Sequence, residues 1–249
     1  MRNFEDHFSQ QAGHYARWRP HYPRELFSYL ASLAPSCQLA WDCGTGNGQA
    51  ARALAEHFNR VIATDASSDQ LAQAIPHERI EYRLERAEDV SLEASSVDLV
   101  TVAIAIHWFD LAPFYQAVRR VLVAQGIVAV WTYHLPNIEP AIDRVLTHYY
   151  TDVLADYWPK RFRYVKQRYR TLPFPFTELN PPDFEMRTDW DLDHLTGFLA
   201  SRSATQRYQM ERGHHPLRLL WPALAPAWGE PHQRRRLHWP LHLRVGRVP

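Results

Sequence analysis

Three glycines fall within five positions in Asp42-Cys-Gly44-Thr-Gly46-Asn-Gly48, in a chain of 249 residues that holds only nine. The apolar run Leu39-Ala-Trp-Asp-Cys43 leads into this motif, and Ala50, Ala51, Leu54, Ala55 and Phe58 follow it at the spacing of one helical face. The local order is therefore strand, glycine turn, helix. Such a turn lets a ligand approach the backbone closely, because no Cβ stands in the way. Counted from Gly44, a dinucleotide fingerprint would need its third glycine at position 49, which is Gln, and no Gly-Lys-Ser/Thr ending makes a nucleoside triphosphate loop. The carboxylate of Asp42 at the strand tip would repel a phosphate but suits an ammonium group, held directly or through water. That chemistry points to a nucleoside bearing an amino acid.

The unit then repeats. Val61-Ile-Ala-Thr-Asp65 reads as a second strand, Ser67 as the N-cap of a helix reaching residue 74, and Ile80-Glu-Tyr-Arg-Leu84 as a third strand. Val97-Asp-Leu-Val-Thr-Val-Ala103 has the unbroken apolar character of a buried strand. Leu111, Phe114, Tyr115, Val118, Val121 and Leu122 make a helical stripe behind Asp110; Gly126 is expected to end that helix, and Ile127-Val-Ala-Val-Trp131 to begin a fifth strand. Strands alternating with helices predict an α/β fold, its mostly parallel sheet covered on both faces, with ligands beyond the carboxyl ends of the strands.

Near residue 134 the pattern turns helical, Tyr-rich and Pro-punctuated, with a helix expected over 141–157 and a loop at Pro173-Phe-Pro-Phe176. We read 1–133 as an N-terminal segment plus ligand-binding core, 134–182 as a lid that closes over the ligands, and 183–249 as the completion of the sheet. In the last part Phe184-Glu-Met-Arg-Thr-Asp-Trp190 is expected to be a sixth strand, 192–208 one or two helices, and 237–245 a closing strand placed at an edge, or bulged, because of Pro240.

Composition removes other classes. Lys plus Arg is 28 and Asp plus Glu 27, a formal charge of +1, so no field advertises nucleic acid. The apolar runs fall far short of the roughly 20 residues that cross a bilayer, and Met1-Arg-Asn-Phe-Glu-Asp lacks a signal-peptide core, so a cytoplasmic, membrane-free protein is expected. Cys37 and Cys43 alone make no disulfide framework. The 14 histidines, including His214-His215 and the pair His238 and His242, lack accompanying ligands at metal spacing, and no metal is expected. Gly-x-Ser-x-Gly, the hydrolase elbow, is absent.

Two further carboxylates occupy strand ends. Asp65 ends the second strand, where an acid can accept hydrogen bonds from both ribose hydroxyls, or simply cap the next helix. Glu88 follows the third strand, placed to accept from an exocyclic base amine, or to sit solvated at the surface. With these residues in view, the chain resembles the class I S-adenosylmethionine-dependent methyltransferases, of the type 11-like group, across residues 36–133. The matching segments are Asp-x-Gly-x-Gly-x-Gly at 42–48, the acid at Asp65, Ala87-Glu88 and Val97-Asp98-Leu99-Val100. The resemblance implies a seven-stranded Rossmann-like sheet and S-adenosylmethionine as cofactor. It gives Asp42, Gly44, Thr45 and Gly46 to the methionyl part, Asp65 to ribose, and Ala87 with Glu88 to adenine. Tyr15-x-x-Trp-Arg-Pro20-x-Tyr-Pro23 and Ala105-Ile-His-Trp-Phe-Asp110 look like the branch that contains trans-aconitate methyltransferase. Ser201-Arg-Ser-Ala204 departs from that branch's Ser-Trp-Ser-Ala by Arg202.

Methyl transfer from a sulfonium is an in-line displacement in which positioning and water exclusion dominate. The acceptor is expected over the fourth strand's tip, beside His107 and Trp108, the first a candidate base and the second an aromatic face for the sulfonium. A carboxylate acceptor needs no base but wants an arginine fork, for which Arg19, near Tyr15 and Tyr22, and Arg202 are the candidates. The function expected is methyl transfer to a small molecule, a carboxylic acid among the candidates. The alternatives are a non-catalytic module that keeps the nucleoside pocket, and a nucleic-acid methyltransferase.

Overall fold

The computed structural model describes residues 18–249. Tyr15 and the start of the N-terminal segment lie outside the described residues.

Five parallel strands set the frame. Strand β1 (Leu39–Cys43) pairs on one side with β2 (Arg60–Asp65), which pairs with β3 (Ile80–Leu84). On its other side β1 pairs with β4 (Val97–Ala103), which pairs with β5 (Leu122–Thr132). The chain thus builds outward from β1 in both directions, and the reversal between β1 and β4 opens a crevice at their carboxyl ends. Helices α1 (Arg24–Leu33), α2 (Gln49–Leu54), α3 (Ser68–Leu71) and α4 (Leu111–Val121) accompany these strands, so β1 and β4 are buried almost without alternation, as their sequences predict. Trp41, fully buried in β1, satisfies its indole N–H on Thr64 Oγ1 at 2.9 Å.

The second half departs from expectation in three places. Helix α4 stops at Val121 rather than at Gly126, because Leu122 turns to extended backbone (ψ 138°) and already pairs with Val97; a register shift then brings Ile127 opposite Leu99. The helix expected over 141–157 is broken. It runs as α5 (Pro140–His148), widens into a π turn at Tyr149–Val153, and passes through 3₁₀ turns at Ala155–Tyr157 and Lys160–Phe162 to the short α6 (Arg163–Lys166). Pro159 precedes the second of those turns and prevents a continuous helix.

The closing strand β8 (Arg235–Arg247) is not an edge. Its second half inserts antiparallel between β5 and the short β6 (Thr177–Leu179), while its first half pairs with β7 (Phe184–Trp190). Pro240 is accommodated by position: His238 exchanges backbone bonds with Asn137, and two residues on in the same direction the prolyl nitrogen falls in the gap before His242 meets Thr132 of β5. Three helices complete the chain: α7 (Leu192–Ala200), N-capped by Asp191 on His194 N at 3.0 Å, α8 (Ser203–Arg212), ended by Gly213, and α9 (Leu217–Trp228). No described helix is long and apolar enough to cross a membrane.

Residues 18–22 form a strap across the carboxyl end of the sheet. Trp18 lies flat against Gly197 of α7, so close that a Cβ there would stand 2.5 Å from the indole. Gln49 of α2 donates to the Pro20 carbonyl at 2.9 Å, and the Tyr22 ring meets the edge of Trp131 at 5.5 Å between centroids.

Candidate active site

Beyond the carboxyl ends of β1, β2 and β4 lies a cavity of about 790 Å³. Gly44, Thr45, Gly46 and Asn47 form one wall, and Asp65 and the 85–88 turn form another. Ala103–Ala105 and Trp108–Asp110 make the floor at the β4 tip, and Tyr22 of the strap, Pro159, Lys160 and Arg161 of the segment before α6, and Arg207 of α8 close the remainder.

The glycine turn is held by its own backbone. The N–H groups of Gly44 and Thr45 both donate to the Thr64 carbonyl, at 2.8 and 3.0 Å, which folds the turn over β2. Gly44 has φ +68°, and a Cβ on it would meet Ala105 Cβ at 2.5 Å; the turn and the β4 loop touch there because no side chain intervenes. Gly48, at φ +83°, reverses the chain into α2. Asp42 sits beneath this turn rather than in the cavity wall. Fully buried, it accepts from Thr45 Oγ1 at 2.6 Å and from Thr101 Oγ1 at 2.7 Å, tying β1, the turn and β4 together. Burial pushes its carboxyl up to about 6, against the opposing effect of the two hydroxyl bonds.

Asp65 lines the cavity and also braces the turn: one carboxylate oxygen accepts from Gly46 N at 2.8 Å, the other from Ser67 N at 2.9 Å. An ionised carboxylate has about four lone-pair positions, so these bonds fix the group without exhausting it. Ala87 and Glu88 stand in the wall beyond it. Glu88 accepts from Asp110 N at 2.8 Å and faces Arg86 Nε at 3.4 Å, which joins the turn after β3 to the turn after β4.

Sequence reasoning did not find Ile104. This β-branched residue stands at φ +54° at the β4 tip, its N–H donating to the Trp131 carbonyl at 2.9 Å. Such a conformation is costly and persists where the surroundings over-determine it. The contact between residue 161 and the cavity floor was also invisible: Arg161 donates to the carbonyls of Trp108 and Phe109 at 2.6 and 3.0 Å.

The turn at Ile106–Trp108 parts the two candidate catalytic residues. Trp108 enters the cavity wall, whereas His107 points into the protein, 4% exposed, with Nδ1 2.9 Å from the Tyr169 hydroxyl. Burial, and then the charges of Arg202 and Arg161, lower His107 to about 3, so it stays neutral when the unfolded chain would protonate. His134 and His242 are lowered to about 4, also chiefly by burial. All three cost stability as pH falls below about 6.5, while raised Asp42 acts in the opposite sense between about 4 and 6. His107→Gln is expected to recover about 2 kcal/mol of the loss at pH 5, the linkage of a single site. Urea denaturation at pH 5 and 7 checks this, and an unchanged difference between the two would place the acid sensitivity elsewhere.

Among the acceptor candidates, Tyr22 lines the cavity. Arg19 and Arg202 lie inward of its wall, both buried: Arg19 donates to the Tyr133 hydroxyl at 3.3 Å, and both guanidinium groups face the Phe198 ring, at 5.3 and 5.5 Å.

A methyltransferase domain family matches residues 41–130, the span of β1 to β5 that carries the glycine turn. A Dictyostelium discoideum protein named as a methyltransferase is 33% identical over 204 residues, covering 80% of this chain and 78% of its own length. The chain belongs to the S-adenosylmethionine-dependent methyltransferases. The solved structure of a type II methyltransferase from Anaeromyxobacter dehalogenans superposes on this methyltransferase with a TM-score of 0.86 at 42% identity, covering 92% of this chain and 97% of that one. Saccharomyces cerevisiae CRG1, named as an S-adenosylmethionine-dependent methyltransferase, is 31% identical over 160 residues, 60% of this chain and 55% of that protein. The methyltransferase's own residues fit the cofactor: at Gly46, φ +58°, the nearest atom to the place of a Cβ is Gln70 Oε1 at 3.6 Å, so the turn is open to a chain laid on its backbone, and Asp65 lines the same cavity with a carboxylate.

Proposed function

We propose that this methyltransferase alkylates a small carboxylic acid, in line, in the cavity between the glycine turn and the lid. The observation that carries the reading is the polarity of the walls. Asp65, Glu85 and Glu88 line the side built by the turns after β2 and β3, with Arg86 between the two glutamates paired to Glu88, and Asp110 lines the floor, whereas Lys160 and Arg161 of the 134–182 segment and Arg207 of α8 line the other side. A cationic methyl donor suits the first, and an anionic acceptor the second. The volume of about 790 Å³ falls within the range of pockets that enclose drug-sized ligands, and no lid side chain fills it.

S-adenosylmethionine supplies an activated methyl group and a neutral thioether leaving group. Gly44 and Gly46 would hold its methionyl part, Asp65 its ribose and Ala87 with Glu88 its base, while Asp42 keeps the turn in shape from below. Trp108, in the cavity wall, would border the sulfonium, an aromatic face worth roughly 0.5–2 kcal/mol to a desolvated cation. A carboxylate is already nucleophilic at neutral pH and needs no proton removed, which agrees with a wall that contains no histidine among the described residues. The lid and strap exclude water. The N-terminal residues with Tyr15, the likeness to the trans-aconitate branch and a cytoplasmic site of action, with both cysteines free, belong to the same proposal.

Labelled-methyl transfer to a panel of small carboxylic acids, with the matching amides as controls, tests the reading. Esters formed from acids alone are expected; transfer confined to amines or to nucleic acid would refute it. In the same assay Trp108→Ala is expected to lower kcat at least about tenfold with little change in melting temperature, and full activity would make Trp108 a packing residue.

A further inference from the structure

Two adjacent residues past α6, Arg168 and Tyr169, stand in the left-handed region, at φ +56° and +58°. They end the helix in a Schellman turn: Tyr169 N–H donates to the Tyr164 carbonyl at 2.8 Å, and Arg168 N–H to the Val165 carbonyl at 2.9 Å. Glycine takes such positions freely, whereas residues with side chains persist there where their surroundings over-determine them. Arg244 of β8 supplies part of that hold by donating to the Tyr169 and Leu172 carbonyls, at 3.0 and 2.6 Å. The turn carries the Tyr169 ring into the interior, fully buried, behind the cavity floor. There its hydroxyl lies 2.9 Å from His107 Nδ1 and also bonds Thr132 at the end of β5. The His107 ring in turn stands 4.9 Å from the Trp108 ring between centroids, within the same 3₁₀ turn. Arg161 holds that turn from the other side, through the carbonyls of Trp108 and Phe109. One short stretch of chain, 161–169, thus grips the turn that carries Trp108 twice.

We propose that Tyr169 is a positioning residue for methyl transfer: its hydroxyl fixes His107, and the His107 ring fixes the face that Trp108 turns to the sulfonium. The inference rests on the proposed function, which sets Trp108 beside the sulfonium. Tyr169 has no exposed surface to offer either ligand, so it acts through the side chains it touches. A ring braced from behind has fewer orientations to lose when a ligand binds, and a contact fixed in advance is worth more to a charge than one that must be ordered on binding.

The readout is the preference of the full chain for S-adenosylmethionine, a cation at sulfur, over S-adenosylhomocysteine, neutral there, measured by calorimetry. Trp108→Ala is expected to reduce that preference about twofold to thirtyfold, the range of a cation–π contact. Tyr169→Phe, which keeps the ring, is expected to reproduce at least about half of that loss on a logarithmic scale, with S-adenosylhomocysteine affinity within about twofold of wild type. Combined with Trp108→Ala, it should leave the preference where Trp108→Ala alone puts it, because its effect runs through the indole. Should Tyr169→Phe not fold, His107→Gln serves, with the same expectations. A wild-type preference in Tyr169→Phe, even with a lowered melting temperature, would make Tyr169 a packing residue and overturn the proposal; so would an equal loss with and without the indole. A wild-type preference in Trp108→Ala would overturn the placing of the sulfonium at Trp108 and the proposal with it, and absence of S-adenosylhomocysteine binding to the wild-type protein would overturn the donor site itself.

Discussion

Gly44→Val is expected to reduce S-adenosylmethionine affinity at least about a hundredfold. Two costs combine. At φ +68° a β-branched residue occupies a region that disfavours L side chains by roughly 1–2 kcal/mol. Its Cβ would also stand 2.5 Å from Ala105 Cβ and 3.1 Å from Phe109 Cζ, so the glycine turn and the β4 loop must separate. Those two segments form adjoining walls of the cavity, and their separation displaces both the turn and Trp108. Calorimetric titration with S-adenosylhomocysteine, alongside a thermal melt that reports folding, checks the prediction. A folded Gly44→Val protein with wild-type affinity would remove the turn from the methyl-donor site.

Asp65→Ala is expected to weaken S-adenosylmethionine binding by about 1.5–3 kcal/mol, the range for hydrogen bonds to a charged group. The side chain does two jobs, presenting a carboxylate to the cavity and fixing Gly46 N and Ser67 N at 2.8 and 2.9 Å. Asp65→Asn keeps one acceptor oxygen and is expected to fall between wild type and alanine. Calorimetry separates the three; equal affinities would mean that ribose is bound by other groups.

How much of this was legible in the chain follows from what each residue depends on. Four of the five parallel strands were readable because burial on both faces leaves nearly unbroken apolar runs, as in Val97–Ala103, the half-exposed edge strand β3 because its residues alternate, and the glycine turn because its residue types are dictated by backbone geometry. Asp65 was readable as a strand-end acid. By contrast, the place of Pro240 depends on Asn137 and Thr132, more than a hundred residues earlier, and no local signal says that β8 lies inside the sheet. The opposite orientations of His107 and Trp108 arise from a single 3₁₀ turn and from Tyr169 behind it. Two adjacent aromatic residues carry no mark of which will face the ligand. Arg202 was singled out as a departure from a resemblance and as a candidate fork for a carboxylate; its aromatic surroundings come from the π turn after α5, from Trp158 and from α7, brought together by tertiary packing.

The most direct test of the central claim is calorimetric titration of the purified protein with S-adenosylmethionine and S-adenosylhomocysteine. The structure predicts one site per chain for both, lost in Gly44→Val and weakened in Asp65→Ala; absence of binding to the folded wild-type protein would contradict it.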